Sequence, residues 1–243
     1  MQNNSLRRRE IAKRRKKLAE VAFAIRRQYS IKRRLLAWGG DYYQSFKWRD
    51  SPSKFHGLIA ELLLQRTTAK AAHRAYIEFS LRYQTPSDLA SAQEEEVLTV
   101  IRPIGIHSRA RMLINLAEQL VTRFRGEIPE KFDDLISLPG VGRYAASAFL
   151  TLHANQPVPI ADSNVQRVAG RLIGQPVTVD DSVQFFEAIL PRKTARAFTL
   201  AFLDFAMQIC RPNPWVPKCG DCPLGSICAT GQKLQKGKNP RWM

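Results

Sequence analysis

The chain has 243 residues, 44% hydrophobic and 24% charged, which allows one large or two small packed domains and excludes wholesale disorder. Lys and Arg number 38 against 21 Asp and Glu, a net charge of +17, so a polyanion such as nucleic acid is the expected partner, with a merely basic enzyme as the plain alternative. No apolar run reaches the roughly 18 residues of a membrane span, and the basic N-terminus lacks the apolar stretch of a secretory signal.

Residues 1–35 form a basic arm, with 13 Lys and Arg against two acids, +11 of the total +17. Such an arm suits salt-sensitive phosphate contacts. A solvated, partly helical tail fits the composition equally, and a mitochondrial transit peptide fits it less well, because the arm is Arg-rich but not Ser-rich. From residue 36 onward the pattern is helical. Thr85-Pro86-Ser87-Asp88 and Ser91-Ala92-Gln93-Glu94 both have the spacing of a capping box and predict helix starts. After Ser108, one stripe carries Leu113, Leu116, Leu120 and Phe124, with Ala117 and Val121 beside it. Gly126, Pro129, Pro139, Gly140, Pro157, Pro159, Gly174 and Pro176 then divide the chain into short helices. Only Val177–Val179 alternates at period two, so the expected class is all-α, without internal repeats.

Leu138-Pro139-Gly140-Val141-Gly142-Arg143 sits between helical stretches Phe132–Ser137 and Tyr144–His153. Two glycines one residue apart permit a tight turn and close backbone approach. The start of the second helix then offers outward N–H groups to a phosphate, which positions DNA without reading its sequence. An ordinary helical corner is the alternative. The small residues Ala145, Ala146 and Ser147 that follow give the run a helix-hairpin-helix signature.

Asp162 opens another helix that runs through Arg171, a place where Asp is ordinarily a cap. The four cysteines follow with spacing C-x8-C-x2-C-x5-C, at Cys210, Cys219, Cys222 and Cys228. Concentrated in one loop, they point to a reducing compartment and a metal site rather than a disulfide framework. Zinc is one candidate, although zinc sites more often show two short C-x2-C pairs.

Several of these motifs occur together in one known family. Leu138–Arg143, the step of 18 residues from Tyr144 to Asp162, and Asn164-Val165-x-Arg167-Val168 resemble the helix-hairpin-helix DNA glycosylases of the endonuclease III and MutY superfamily. Trp48-Arg49, Glu61–Thr67, and Ile104-Gly105-Ile106 with Arg109-Ala110 extend the resemblance over roughly residues 36–230. It implies an all-α, two-lobed fold: a six-helix barrel with the hairpin over 58–156, and a cluster-bearing helical domain from 36–57 and 157–232. The arm (1–35) and a tail (233–243) flank these, and a monomer is expected to bind double-stranded DNA across the cleft between the lobes.

In that family Asp162 would be the catalytic carboxylate. Breaking an N-glycosidic bond builds positive charge on the sugar, which a fixed anion beside C1′ stabilises while water attacks. Bifunctional members carry at the position of Tyr144 a lysine whose amine attacks C1′ and forms a Schiff base. Here no lysine occurs between Lys131 and Lys193, so a monofunctional enzyme is implied, with Tyr144 stacking on the flipped base or lining its pocket. Tyr at this position is similar to thymine-DNA mismatch glycosylases; adenine-type members typically have Ser. Glu61 aligns with the acid that protonates the departing adenine in MutY-type enzymes, and a Glu sits there in the thymine type too.

Gln65-Arg66-Thr67-Thr68 resembles the thymine type, with Arg66 where a side chain fills the space left by the flipped base. Ile106 falls where a wedge residue enters the opposite strand. The hairpin residues Leu138, Gly140, Val141, Gly142 and Arg143, with Gln65 and Asn164, complete the expected DNA contacts. The family carries a [4Fe–4S] cluster on four cysteines whose first gap is six residues; here it is eight, Arg211–Lys218, and zinc stays the alternative. An alkali ion at the hairpin is a further expectation.

The chain ends 15 residues after Cys228, whereas MutY-type enzymes usually continue into a domain that reads oxidised guanine. The resemblance therefore favours excision of thymine or uracil mispaired with guanine, in the cytoplasm of a bacterium or archaeon and associated with its nucleoid. Adenine excision without the usual C-terminal domain, or a non-catalytic Fe–S DNA-binding protein, are the alternatives. His56, His73, His107 and His153 show no ligand spacing and carry no expected chemistry, apart from a possible contact of His107 with DNA.

Overall fold

The computed structural model describes residues 23, 26–41, 44–51, 53–105, 108–213 and 215–235. Most of the basic arm, the wedge candidate Ile106 with His107, and residues 236–243 lie outside the described residues. Helix occurs throughout and no strand occurs among the described residues, as the all-α reading expects. No described helix is long and apolar enough to cross a membrane.

The chain divides into two compact units, one from residues 44–158 and one from 1–43 with 159–243. The first contains α2 (Lys54–Leu63), α3 (Ala69–Arg82), α4 (Pro86–Ala90), α5 (Glu94–Ile101), α6 (Arg109–Phe124), α7 (Phe132–Ile136) and α8 (Arg143–His153). The stripe read from the sequence holds: Leu113, Leu116, Ala117 and Leu120 of α6 are fully buried in a core shared with Leu58, Leu62, Phe79 and Phe149. At about 1.5–3 kcal/mol for each buried Leu or Phe, this burial stabilises helices that would be marginal alone.

Thr85 caps α4 in a complete capping box with Asp88. Ser91 does not cap α5. It still has helical backbone (φ −91°, ψ −3°) as the end of α4, so it lacks the extended backbone that an N-cap needs, and Gln93 precedes α5 without a side-chain cap. Ser108 is likewise helical (φ −60°, ψ −11°) and makes no cap bond.

The segment 44–57, expected in the cluster-bearing lobe, clusters with this first unit. Its anchor is Trp48, which stacks on Phe46 at 4.3 Å and meets His73 and Tyr76 of α3 edge-on. His56 is also structural. Its ring nitrogens meet Ser53 Oγ and the Tyr83 carbonyl oxygen, and burial lowers its pKa.

The second unit contains α1 (26–41), α9 (Ser163–Ile173), α10 (Val179–Ile189), α11 (Ala195–Gln208) and α12 (Ala229–Gln235). Its core is aromatic. Phe186, Phe198 and Phe202 pack with ring centroids 5.0–6.3 Å apart, and Trp38 meets Phe205 edge-on at 5.9 Å. Helix α1 comes close enough to α11 that a Cβ on Gly39 would lie 2.4 Å from Ala201 Cβ.

Candidate active site and thiol pocket

The hairpin is built by its glycines and anchored by its apolar residues. Gly140 has φ +76°, a left-handed conformation that side chains rarely adopt, and a Cβ there would lie 2.2 Å from Met112 Sδ of α6. The Val141 N–H donates to the Leu138 carbonyl at 3.2 Å and closes the turn. Leu138 and Val141 are buried, so they shape the turn from beneath. Gly142 is the exposed N-cap of α8, with open space around its Cα. The exposed Arg143 guanidinium lies over the Phe132 ring at 5.5 Å and links the two helices of the hairpin.

The chain leaves α2 through a strained turn. Arg66, exposed, has φ +52°, which costs a non-glycine residue of order 1 kcal/mol. Two contacts hold the turn. Buried Arg109 donates to the carbonyl oxygens of Leu63 and Gln65, which the helix end leaves unpaired. The Gln65 side-chain amide donates to the Gly140 carbonyl at 3.1 Å, so this turn and the hairpin are joined directly. Burial, with Arg66 nearby, lowers the Arg109 pKa.

Glu61 lies on α2, one turn after Gly57, and is buried. Its Oε1 is 3.1 Å from His153 Nε2 at the end of α8, and both side chains are buried, 4% and 6% exposed. Tyr144, half-buried, stands in the first turn of α8.

Asp162 is the N-cap of α9. Its Oδ1 accepts from the Val165 N–H at 2.8 Å, and its Oδ2 accepts from the Asn164 amide at 2.6 Å. Asn164 Oδ1 in turn accepts from Arg167 Nη2 at 2.9 Å, and Arg167 Nε donates to the Cys210 carbonyl at 2.8 Å. Only this orientation of the Asn164 amide presents its donor to the carboxylate and its acceptor to the guanidinium. An unbroken line of charge-assisted hydrogen bonds therefore joins the Asp162 carboxylate to the first cysteine of the loop.

All four cysteines line one pocket, together with Val168, Leu172, Phe205 and Leu224. The long first gap does not separate them. The Trp215 N–H donates to the Pro212 carbonyl, and the Lys218 N–H returns to the Ile209 carbonyl at 2.9 Å, so the extra residues form a turned excursion whose ends meet. Burial pushes the thiols of Cys219, Cys222 and Cys228 up, Cys222 to about 12, and the neighbouring thiols add to the rise. Arg171 Nη1 lies 3.5 Å from Cys210 Sγ, and the Gly231 N–H lies 3.3 Å from Cys228 Sγ. Bound cationic metal would reverse the cost of four thiolates packed together. No group of three His, Cys, Asp or Glu among the described residues is placed to hold a single metal ion.

The predicted residues thus fall in both units. Glu61, Gln65, Arg66, Tyr144 and the hairpin belong to the first, and Asp162, Asn164 and the cysteines to the second. Sequence reasoning missed His153 and the parts that Arg109 and Arg167 play. They find their partners at separations of 92, 44 and 43 residues, for which the chain carries no local signal.

A profile of the HhH-GPD superfamily of base excision DNA repair proteins matches residues 59–186. The chain is 40% identical over 199 residues to a thymine/uracil-DNA glycosylase of Pyrobaculum aerophilum, covering 78% of this chain and 86% of that protein. It is 38% identical over 209 residues to a thymine-DNA glycosylase of Aeropyrum pernix, covering 82% and 93%. Among solved structures it is similar to a thermostable thymine-DNA glycosylase, with a TM-score of 0.80 and 27% identity over 86% of this chain and 98% of that one. With the hairpin, the capped aspartate and the four-cysteine loop in the expected order, the chain belongs to the HhH-GPD superfamily of base excision DNA repair proteins.

Proposed function

We propose that this protein is a monofunctional DNA glycosylase that excises thymine or uracil mispaired with guanine, using water as the nucleophile. It binds DNA and hydrolyses the N-glycosidic bond of a flipped nucleotide. Asp162 stabilises the positive charge that builds at C1′ and orients the water. Glu61 assists departure of the base, and Tyr144 lines the base pocket. Gln65, Arg66, Ile106, Asn164 and the exposed hairpin residues Gly140, Gly142 and Arg143 hold the duplex around the extruded nucleotide, while Leu138 and Val141, expected as DNA contacts, are buried and support the turn from beneath.

One observation carries the monofunctional reading: Tyr144 stands in the first turn of α8, and no lysine lies between Lys131 and Lys193. A phenol cannot form the imine that strand cleavage by a lyase requires. The thymine and uracil preference is supported by the two relatives, whose likeness runs over most of both chains.

The cysteines suit a [4Fe–4S] cluster held by four thiolates. All four line one pocket, as a site for a cluster or for zinc requires, and the family resemblance favours the cluster. Its part would be structural or redox-sensing, because hydrolysis itself transfers no electron.

A panel of duplexes with G·T, G·U and adenine opposite oxidised guanine, developed by alkali cleavage, tests the substrate. Product from the first two and none from the third is expected; excision of adenine alone would overturn the reading. Borohydride added during turnover should trap no covalent complex, and a trapped adduct would refute water as the nucleophile.

A further inference from the structure

We propose that His153 is a positioning residue for Glu61, fixing one carboxylate oxygen so that the other faces the departing base. The inference rests on the reading of Glu61 as a participant in base departure.

A carboxyl group whose side chain is 4% exposed needs a donor, because a buried polar group left without a partner loses its hydration and gains nothing in return. His153 Nε2 supplies one at 3.1 Å from Oε1. The imidazole is itself held. A Cβ at Gly57 would lie 2.5 Å from His153 Cγ and 2.6 Å from Nδ1, so the absence of a side chain there lets the ring lie against the backbone of α2. Gly57 is one helical turn before Glu61 on the same face, which sets the ring and the carboxylate side by side. Phe149, one turn earlier on α8, stacks beside the imidazole at 6.1 Å and 21°. With ring and carboxylate both fixed, Oε1 is committed to His153 and Oε2 is the oxygen left for the substrate. Without the imidazole the carboxyl would turn freely, and the geometry needed for proton donation would be lost.

The rival is a buried pair that only fastens α2 to α8. Single-turnover excision from a G·U duplex separates the two, using the full chain as wild type, H153A, H153Q, E61Q and E61Q/H153A. Positioning predicts that H153A slows excision about tenfold or more with duplex affinity unchanged. H153Q, whose amide offers a donor in the place of Nε2, recovers most of the rate, and the double variant is no slower than E61Q. An equal loss from H153A in both backgrounds, or a wild-type rate for H153A beside an impaired E61Q, would overturn the inference and leave the role of Glu61 standing. A wild-type rate for E61Q would remove that role and the inference with it. A measurement independent of H153A folding is the ¹⁵N signal of the His153 ring. Its Nε2-protonated signature should shift between wild type and E61Q, and an unchanged signal overturns the proposal.

Discussion

Asp162 does two jobs with one carboxylate. As N-cap it satisfies the Val165 N–H, and through Oδ2 it holds the Asn164 amide. The substitution D162N therefore tests more than charge. Asn is as good a cap as Asp, so α9 keeps its start. The new amide, however, presents a donor where Oδ2 accepted one, and it faces the Asn164 donor. Asn164 must then turn over, which breaks its bond to Arg167. The expected result is loss of excision by about 10²–10³, the scale of removing one preorganised electrostatic contact at a reacting centre, with a stability cost of about 1 kcal/mol for the disturbed bonds. Single-turnover kinetics and denaturant unfolding on the same variant measure the two effects. Excision at the wild-type rate would return Asp162 to being a cap alone. The cap was legible in the sequence, since it depends on residues within three positions. The line from Asp162 to Cys210 was not, because Arg167 reaches a carbonyl 43 residues away.

At the scale of elements, the hairpin gives the sharpest contrast, because its two glycines differ in what surrounds them. Gly140 combines φ +76° with Met112 Sδ 2.2 Å from the place of a Cβ. G140A adds left-handed strain and forces Met112 aside, so a loss of about 1–3 kcal/mol is expected. Gly142 has nothing within 4 Å of its would-be Cβ and a negative φ of −83°. G142A should cost less than about 1 kcal/mol, the ordinary penalty of Ala for Gly at a cap. Urea unfolding of both variants checks the order, and equal losses would mean that the Met112 contact does not constrain the turn. The sequence showed the two glycines but not this asymmetry, which is set by a residue of α6. The same limit explains the displaced segment 44–57. Trp48 was visible as a motif, but the aromatic partners on α3 that draw it into the first unit lie some 25 residues further on. Helix class, turn positions and the Thr85 cap were legible because each depends on near neighbours. Ser91 misled because its motif spacing ignored the preceding helix, whose last turn claims it.

Over the whole molecule the dominant quantity is charge. Residues 1–22 hold eight Lys and Arg and two acids, so their removal lowers the net charge from +17 to +11. If these residues meet phosphates, the full chain should bind duplex with a steeper salt dependence than a chain starting at residue 23. The slope of log affinity against log salt should flatten by roughly 0.9 for each phosphate that the shortened chain leaves unneutralised. The glycosylase chemistry assigned to Glu61, Tyr144 and Asp162 involves none of these residues. Excision measured at saturating enzyme should therefore be the same for both chains, while the affinity gap between them narrows as salt rises. Parallel binding titrations over a range of KCl, each paired with a single-turnover assay, make the comparison. Identical slopes would show that residues 1–22 take no part in binding. A slower single-turnover rate at saturation would instead tie residues 1–22 to the chemical step.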